Sequence, residues 1–319
     1  KASRAAKVQI KYNSFFISKT NCISTFSKLH NLLERIKNSF NSAISPVVLN
    51  IRKIFRKFGT PKPAFMKITV IQHNIQWNDV AANLAHISQL LSDAPKSDVY
   101  VLTEMFATGF CMKPEKIAQK PEGSIVTTMK EWAQRLDAAV CGSVATEEDG
   151  IYYNRLYFVM PDGKVEHYDK RHLFTYSGEH ERYAGGKERK IVEFRGVRFL
   201  LQVCYDLRFP VWSRNRGDYD AAIYVASWPV SRIQVWDLLL KARSLENQCY
   251  VVGANRVGSD PLCEYSGNSV IVDSYGRVIA ESDIEGETYI TADLDMEKLQ
   301  SFRSKFPVLN DADDYEIRL

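Results

Sequence analysis

The sequence has no Cys-x-x-Cys pair, and its six cysteines, at 22, 111, 141, 204, 249 and 263, stand far apart. That spacing excludes a zinc ribbon or a small disulfide-stapled scaffold and points to a reducing, cytoplasmic setting. No stretch approaches the roughly 18 consecutive apolar residues that a membrane span needs. No internal repeat interrupts the chain after Met66, and no ligand cluster there suggests a metal. Acid is nearly missing from residues 1–65, where Glu34 stands alone against 13 Lys and Arg. The remainder then holds 29 basic and 37 acidic residues, a formal −8, so the overall +4 conceals two kinds of sequence joined near Pro61-Lys-Pro63.

The basic segment carries apolar stripes at helical spacing. Leu29, Leu32, Leu33, Ile36 and Phe40 form one; after Pro46, Val47, Val48, Ile51, Ile54, Phe55 and Phe58 form another with Arg52, Lys53, Arg56 and Lys57 between. The first reading is a non-native or poorly ordered extension, residues 1–65, ahead of a self-sufficient domain at 66–319. The alternative is a targeting segment, since a basic amphipathic helix and eight serines suit a membrane surface or an organelle presequence such as a mitochondrial one. Membrane contact is expected only in that case. Nucleic acid is not an expected partner, because the charge comes without a recognition motif.

After Met66, strands and helices alternate. Lys67–Gln72, Asp98–Thr103, Ala139–Val144, Val197–Val203, Ala221–Ala226 and Tyr250–Ala254 are apolar runs of buried-strand length. Val80, Leu84, Ile87 and Leu91 define an amphipathic helix, with Asn78 or Asp79 as its cap. Further helices are expected at Thr127–Leu136 and Gln234–Asn247. Leu156–Met160 and Lys164–Tyr168 flank Pro161-Asp-Gly163 as a hairpin, and Ile191–Phe194 precedes an Arg195-Gly196 turn. Gly267–Asp273, Arg277–Glu281 and Thr288–Asp293 close the domain. The pattern is α/β, mixed rather than purely parallel.

Three chemically able side chains follow extended segments: Glu104, Lys170 and Cys204. Chemistry in open α/β sheets collects beyond the carboxyl ends of strands, and neighbouring strands ending together would bring the three into one pocket. A carboxylate can take a thiol proton and later activate water. An ammonium lowers a thiol pKa and stabilises the oxyanion of a tetrahedral intermediate. The backbone N–H of Tyr205 is a second oxyanion donor. Taken singly, each has a plainer alternative: Cys204 a buried structural thiol, Lys170 a turn residue, Glu104 a surface carboxylate.

The words around them run in a fixed order: Glu104-Met-Phe, Asp169-Lys-Arg-His-Leu-Phe174, Gly178-Glu-His-Glu-Arg-Tyr183 and Cys204-Tyr-Asp-Leu-Arg-Phe-Pro210. Ala226-Ser-Trp-Pro229, Lys241-Ala-Arg243, Glu246-Asn-Gln-Cys-Tyr250 and Gly253-Ala-Asn-Arg256 follow. Together they resemble the nitrilase superfamily of carbon–nitrogen hydrolases, over residues 66–319 and none of 1–65. Cys204-Tyr-Asp-Leu-Arg-Phe-Pro-Val-Trp212 and the Gly178-Glu-His segment look most like its omega-amidase branch, with N-carbamoyl and deaminated-glutathione amidases as alternatives and a non-catalytic binding protein as the outside one. The resemblance implies a four-layer α-β-β-α sandwich with two mixed sheets, a homodimer, and no metal or cofactor. It implies Glu104 as general base, Lys170 as oxyanion stabiliser, Cys204 as nucleophile, and Glu179, with Glu181 as fallback, as an auxiliary glutamate. The implied substrate is a small 2-oxo dicarboxylic monoamide, hydrolysed with water. A bidentate cation suits its far carboxylate: Arg232 is the candidate, and Arg208 either shares that role or holds Asp206 or Glu104. Phe110, Phe174, Tyr183 and Trp228 are expected to wall the pocket.

Overall fold

A computed structural model describes residues 64–282 and 286–318. The expectations on residues 1–63, the basic stripes included, lie outside the described residues. In chain order the first strands are β1 (Phe65–Gln72), β2 (Val99–Val101), β3 (Ala139–Glu148), β4 (Ile151–Val159) and β5 (Val165–Asp169). There follow β6 (Ile191–Phe194), β7 (Val197–Val203), β8 (Ala221–Ala226), β9 (Tyr250–Asn255), β10 (Val257–Ser259), β11 (Glu264–Ser266), β12 (Val270–Val272), β13 (Val278–Glu281) and β14 (Thr288–Asp295). The longer helices are α1 (Val80–Asp93), α2 (Ser124–Leu136), α3 (Ile233–Asn247) and α4 (Met296–Lys305).

Two six-stranded sheets form, ordered β14-β1-β2-β3-β4-β5 and β13-β12-β9-β8-β7-β6. Each has three parallel strands at its centre, β1-β2-β3 and β7-β8-β9. Antiparallel partners flank them: β14, β4 and β5 in one sheet, β6, β12 and β13 in the other. Parallel neighbours need crossovers; α1, α2 and α3 supply three of them.

Strand alternation builds the layers, because successive side chains point to opposite faces. In β1, Ile68 and Val70 enter the core between the sheets, while Ile71 packs with Ile87 and Leu91 of α1 and with Met129 and Trp132 of α2. In β7, Leu201 and Val203 enter the same central core, while Leu200 joins Trp236 and Leu240 of α3. Both faces of each central strand are covered, so both are apolar, and the strands read as continuous apolar runs. The result is the expected four-layer α-β-β-α sandwich. Among the described residues no helix is long and apolar enough to cross a membrane.

Asp79, not Asn78, caps α1: its Oδ1 accepts from Ala82 N at 3.0 Å, while Asn78 adopts φ 57 just outside. β2 ends at Val101, shorter than its apolar run, and Met105 turns the chain beyond it at φ 44. The β10–β11 ribbon and α4 go unannounced by pattern. The ribbon is two three-residue strands, and α4 buries only Met296 and Leu299. The expectation that neighbouring strands carry the three reactive residues is corrected. Two strands, β3 and β4, separate β2 from β5, and β7 belongs to the other sheet. The residues converge because the sheets face each other.

Candidate active site

The chain leaves β7 through a strained corner. Val203 is extended, Cys204 flips to φ 45, and a 3₁₀ helix runs over Cys204–Arg208. A non-glycine residue in the left-handed region costs on the order of 1–3 kcal/mol and persists where its surroundings over-determine it. Asp206 does that here. Fully buried, it accepts from Val203 N (3.0 Å) and Tyr168 OH (2.9 Å) on Oδ2, and from His172 N (2.9 Å) and Nδ1 (2.8 Å) on Oδ1. Tyr168 and His172 flank Lys170 in sequence, so one carboxylate ties the end of β5 to the corner after β7. Tyr205 stands in the first turn of the 3₁₀ helix, where backbone N–H groups have no intrahelical acceptor.

Lys170, the first residue past β5, is fully buried between two fully buried carboxylates. Glu104 Oε1 accepts from Lys170 Nζ at 3.0 Å and from Asn154 Nδ2 at 2.8 Å; its Oε2 accepts from the Ser227 backbone N–H at 2.9 Å. Glu179 accepts from Lys170 Nζ on both oxygens, at 3.0 and 2.9 Å, from Asn154 Nδ2 at 3.2 Å and from Phe174 N–H at 2.6 Å. Glu179 thus stands in the cluster, whereas Glu181 is exposed.

The site's charge balance follows from burial. Desolvation pushes the Glu179 carboxyl above its usual range, against the pull of Lys170. Desolvation also works to lower Lys170, but Glu104 and Glu179 outweigh it, and the ammonium is held more firmly than in water. Burial and then the Glu104 carboxylate push the Cys204 thiol well up. The expectation that the ammonium leaves a depressed thiol is therefore corrected. Lys170 pulls in that direction, but desolvation and the Glu104 carboxylate outweigh it.

Cys204 and Lys170 border a cavity of about 80 Å³. At the ~10–15 Å³ that one water needs, it holds several water-sized groups. Phe110, Phe174, Tyr205, Arg208, Trp228 and Arg232 line it. Arg208 does not hold Asp206, whose oxygens already accept four hydrogen bonds, and makes no ion pair with Glu104; its guanidinium lies 5.3 Å over the Trp228 ring. Arg232 lies 5.2 Å over the Phe174 ring. Among the described residues neither guanidinium has an ion-pair partner. Tyr183 does not reach the cavity. It is buried beside Met105 and Cys111 and donates its hydroxyl to Cys111 O at 2.7 Å.

Sequence reasoning missed three features. Asn154 bridges both carboxylates from within β4, where it lies between Tyr153 and Arg155, ahead of the apolar run that begins at Leu156. Ser227 contributes through its backbone, which no side-chain motif announces. Asp260, Cys263 and Tyr265, from the ribbon, make one wall of the cavity.

Residues 67–304 match the family model described as carbon–nitrogen hydrolase. The chain is 48% identical over 251 residues to omega-amidase YafV of Yersinia enterocolitica, covering 78% of this chain and 98% of that protein. It is 33% identical over 250 residues to the 2-oxoglutaramate amidase of Bacillus subtilis, covering 76% and 96%. Among solved structures it is similar to XC1258 of Xanthomonas campestris, a CN-hydrolase superfamily protein with an arsenic adduct in its active site. That likeness has 39% identity, a TM-score of 0.77, and coverage of 80% of this chain and 99% of that one. Fold, cluster and relatives agree: the chain belongs to the carbon–nitrogen hydrolase family and is a hydrolase of amide carbon–nitrogen bonds.

Proposed function

We propose that this chain is an omega-amidase that releases ammonia from the terminal amide of 2-oxoglutaramate or 2-oxosuccinamate through a Cys204 thioester. One observation carries the reading. A single small cavity has Cys204 and Lys170 on its wall together with two arginines that lack ion-pair partners among the described residues. The amide carbon goes to the thiol, and the far carboxylate goes to Arg208 and Arg232. Phe110, Phe174 and Trp228 strip water from the few carbons between, which strengthens every charge contact inside.

In this mechanism Glu104 takes the Cys204 proton as sulfur attacks the amide carbon; the raised thiol means the proton leaves during attack rather than before it. Lys170 and the Tyr205 N–H hold the oxyanion. Glu104 returns the proton to the leaving ammonia, then activates water to release the acid from the thioester. Glu179 keeps Lys170 charged and oriented.

The same reading takes residues 66–319 as the hydrolase domain and 1–65 as an extension. It takes the setting as cytoplasmic, supported by five free cysteines among the described residues. It includes a homodimer, supported by Leu238 and Leu245, which are exposed seven residues apart on α3. Light scattering of the purified chain at a monomer mass would remove the dimer.

An ammonia-release screen tests the substrate. Turnover is expected to be fastest on 2-oxoglutaramate or 2-oxosuccinamate and slower on glutamine, carbamoyl amino acids and a simple nitrile. Equal or faster turnover of a carbamoyl amino acid would overturn the assignment. Arg232→Met removes a charge-assisted contact worth about 1.5–3 kcal/mol, so KM is expected to rise about 10–100-fold with kcat little changed. A KM equal to that of the unaltered enzyme would take Arg232 out of the substrate site.

A further inference from the structure

One buried amide hydrogen-bonds both carboxylates of the site, and the donors leading to it decide which way it faces. Met105, directly after Glu104, donates its backbone N–H to Ser143 Oγ at 2.8 Å. A backbone N–H can only donate, so Ser143 Oγ accepts there and sends its own proton on to Asn154 Oδ1, 2.9 Å away. With its oxygen held by Ser143, the Asn154 side chain turns its NH₂ toward the carboxylates. Nδ2 lies 2.8 Å from Glu104 Oε1 and 3.2 Å from Glu179 Oε1. Met105, Ser143 and Asn154 are all fully buried, so no water competes for these groups.

The two oxygens of Glu104 are consequently unlike. Oε1 accepts two hydrogen bonds, from Asn154 and Lys170, which occupy both of its lone pairs. Oε2 accepts one, from the Ser227 N–H, and has a lone pair open. Ser227 borders the same cavity as Cys204.

We propose that Asn154 is a positioning residue that makes Oε2 the proton-accepting atom of Glu104. The proposal rests on the amidase reading above and deepens it. In the attack, the S–H proton passes to Oε2 as the S–C bond forms and the carbonyl π pair moves onto oxygen. As the C–N bond breaks, that proton leaves on ammonia, and Oε2 is open again for a proton from water. Asn154 and Lys170 stay on Oε1 throughout.

The titratable groups facing Glu104 are Lys170 at the end of β5, Glu179 on its 3₁₀ turn, Cys204 at the corner after β7, and Tyr183. Lys170 stays an ammonium, and burial keeps the Tyr183 phenol neutral. Lys170 Nζ already donates to Glu104 and Glu179 and the Tyr183 hydroxyl to Cys111 O, so neither replaces the amide donor when Asn154 is removed. A charged carboxylate that loses a hydrogen-bond donor is less stable relative to its acid, so the acid limb of the activity profile shifts to higher pH.

The test uses the full chain carrying Asn154→Ala or Ser143→Ala. For Asn154→Ala, kcat is expected to fall on the order of 10²-fold, the cost of a misplaced reacting group, with KM nearly unchanged. The acid limb of kcat/KM is expected to move to higher pH, and so is the pH dependence of Cys204 alkylation by iodoacetamide, which needs no amide substrate. Ser143→Ala leaves Asn154 in place but free to turn. It should give a smaller shift in the same direction, and it decides the matter if Asn154→Ala does not fold. Profiles that coincide with the unaltered enzyme's, whatever the fall in kcat, would overturn the proposal. Absence of ammonia release by the unaltered enzyme would instead remove the amidase reading, while the alkylation profile still decides the role of Asn154.

Discussion

Cys204→Ala is expected to lower ammonia release by on the order of 10⁴–10⁶-fold, the scale of losing a covalent nucleophile, while the domain stays folded. The second half of this expectation comes from local geometry. Alanine keeps the Cβ, so the backbone at φ 45 bears the same strain as before. The four hydrogen bonds that Asp206 accepts, which hold the corner, do not involve the sulfur. Removing Sγ only enlarges a cavity that already exists, so thermal unfolding should change by no more than about 1 kcal/mol. Turnover within about tenfold of the unaltered enzyme, about 1.4 kcal/mol in barrier, would sink the thioester mechanism.

Lys170→Met is expected to be inactive and also unstable, by about 3–5 kcal/mol, the cost of stripping the partner from a buried ion pair. Two carboxylates, Glu104 and Glu179, would then share an enclosed site with only neutral donors around them. Glu179 is already pushed up by burial with the ammonium present, and without it the push grows. A carboxyl raised in the folded state contributes stability that is fully present below its unfolded pKa, about 4.3, and is lost as pH rises through the folded value. The variant should therefore unfold at a higher temperature near pH 5 than near pH 8, by a wider margin than the unaltered protein. Equal margins would mean that the two carboxylates do not depend on Lys170 for their charge. The contrast with Cys204→Ala is useful, since one residue serves the chemistry alone while the other serves both chemistry and fold.

How far the site could be read from sequence depended on how each residue acts. Cys204, Glu104 and Lys170 stand just past apolar runs inside distinctive words, so their positions in chain order were legible. Asn154 and Ser227 were not: one is a polar residue inside a strand, and the other works through a backbone N–H that every residue has. Arg208 misled because Asp206, two residues away, offered an obvious partner. That carboxylate is saturated by Val203, Tyr168 and His172, and the guanidinium lies over Trp228 instead. Tyr183 misled for the converse reason: its motif borders Glu179, but its hydroxyl turns away to Cys111.

By itself the sequence determined the α/β class, because apolar runs of strand length alternate with helical periods; the pairing of two sheets was implied only by the resemblance of its motifs. It also determined the identity of the reactive groups, because thiol, ammonium and carboxylate are properties of residue type. Only the tertiary structure decided how they act. Lys170 and Glu104 end strands that are not neighbours, and Cys204 ends a strand of the other sheet, so their meeting depends on how the two sheets face each other. Enclosure between the sheets raised the thiol and held the ammonium, since desolvation and the distances between charges belong to the packed site and not to any one residue along the chain.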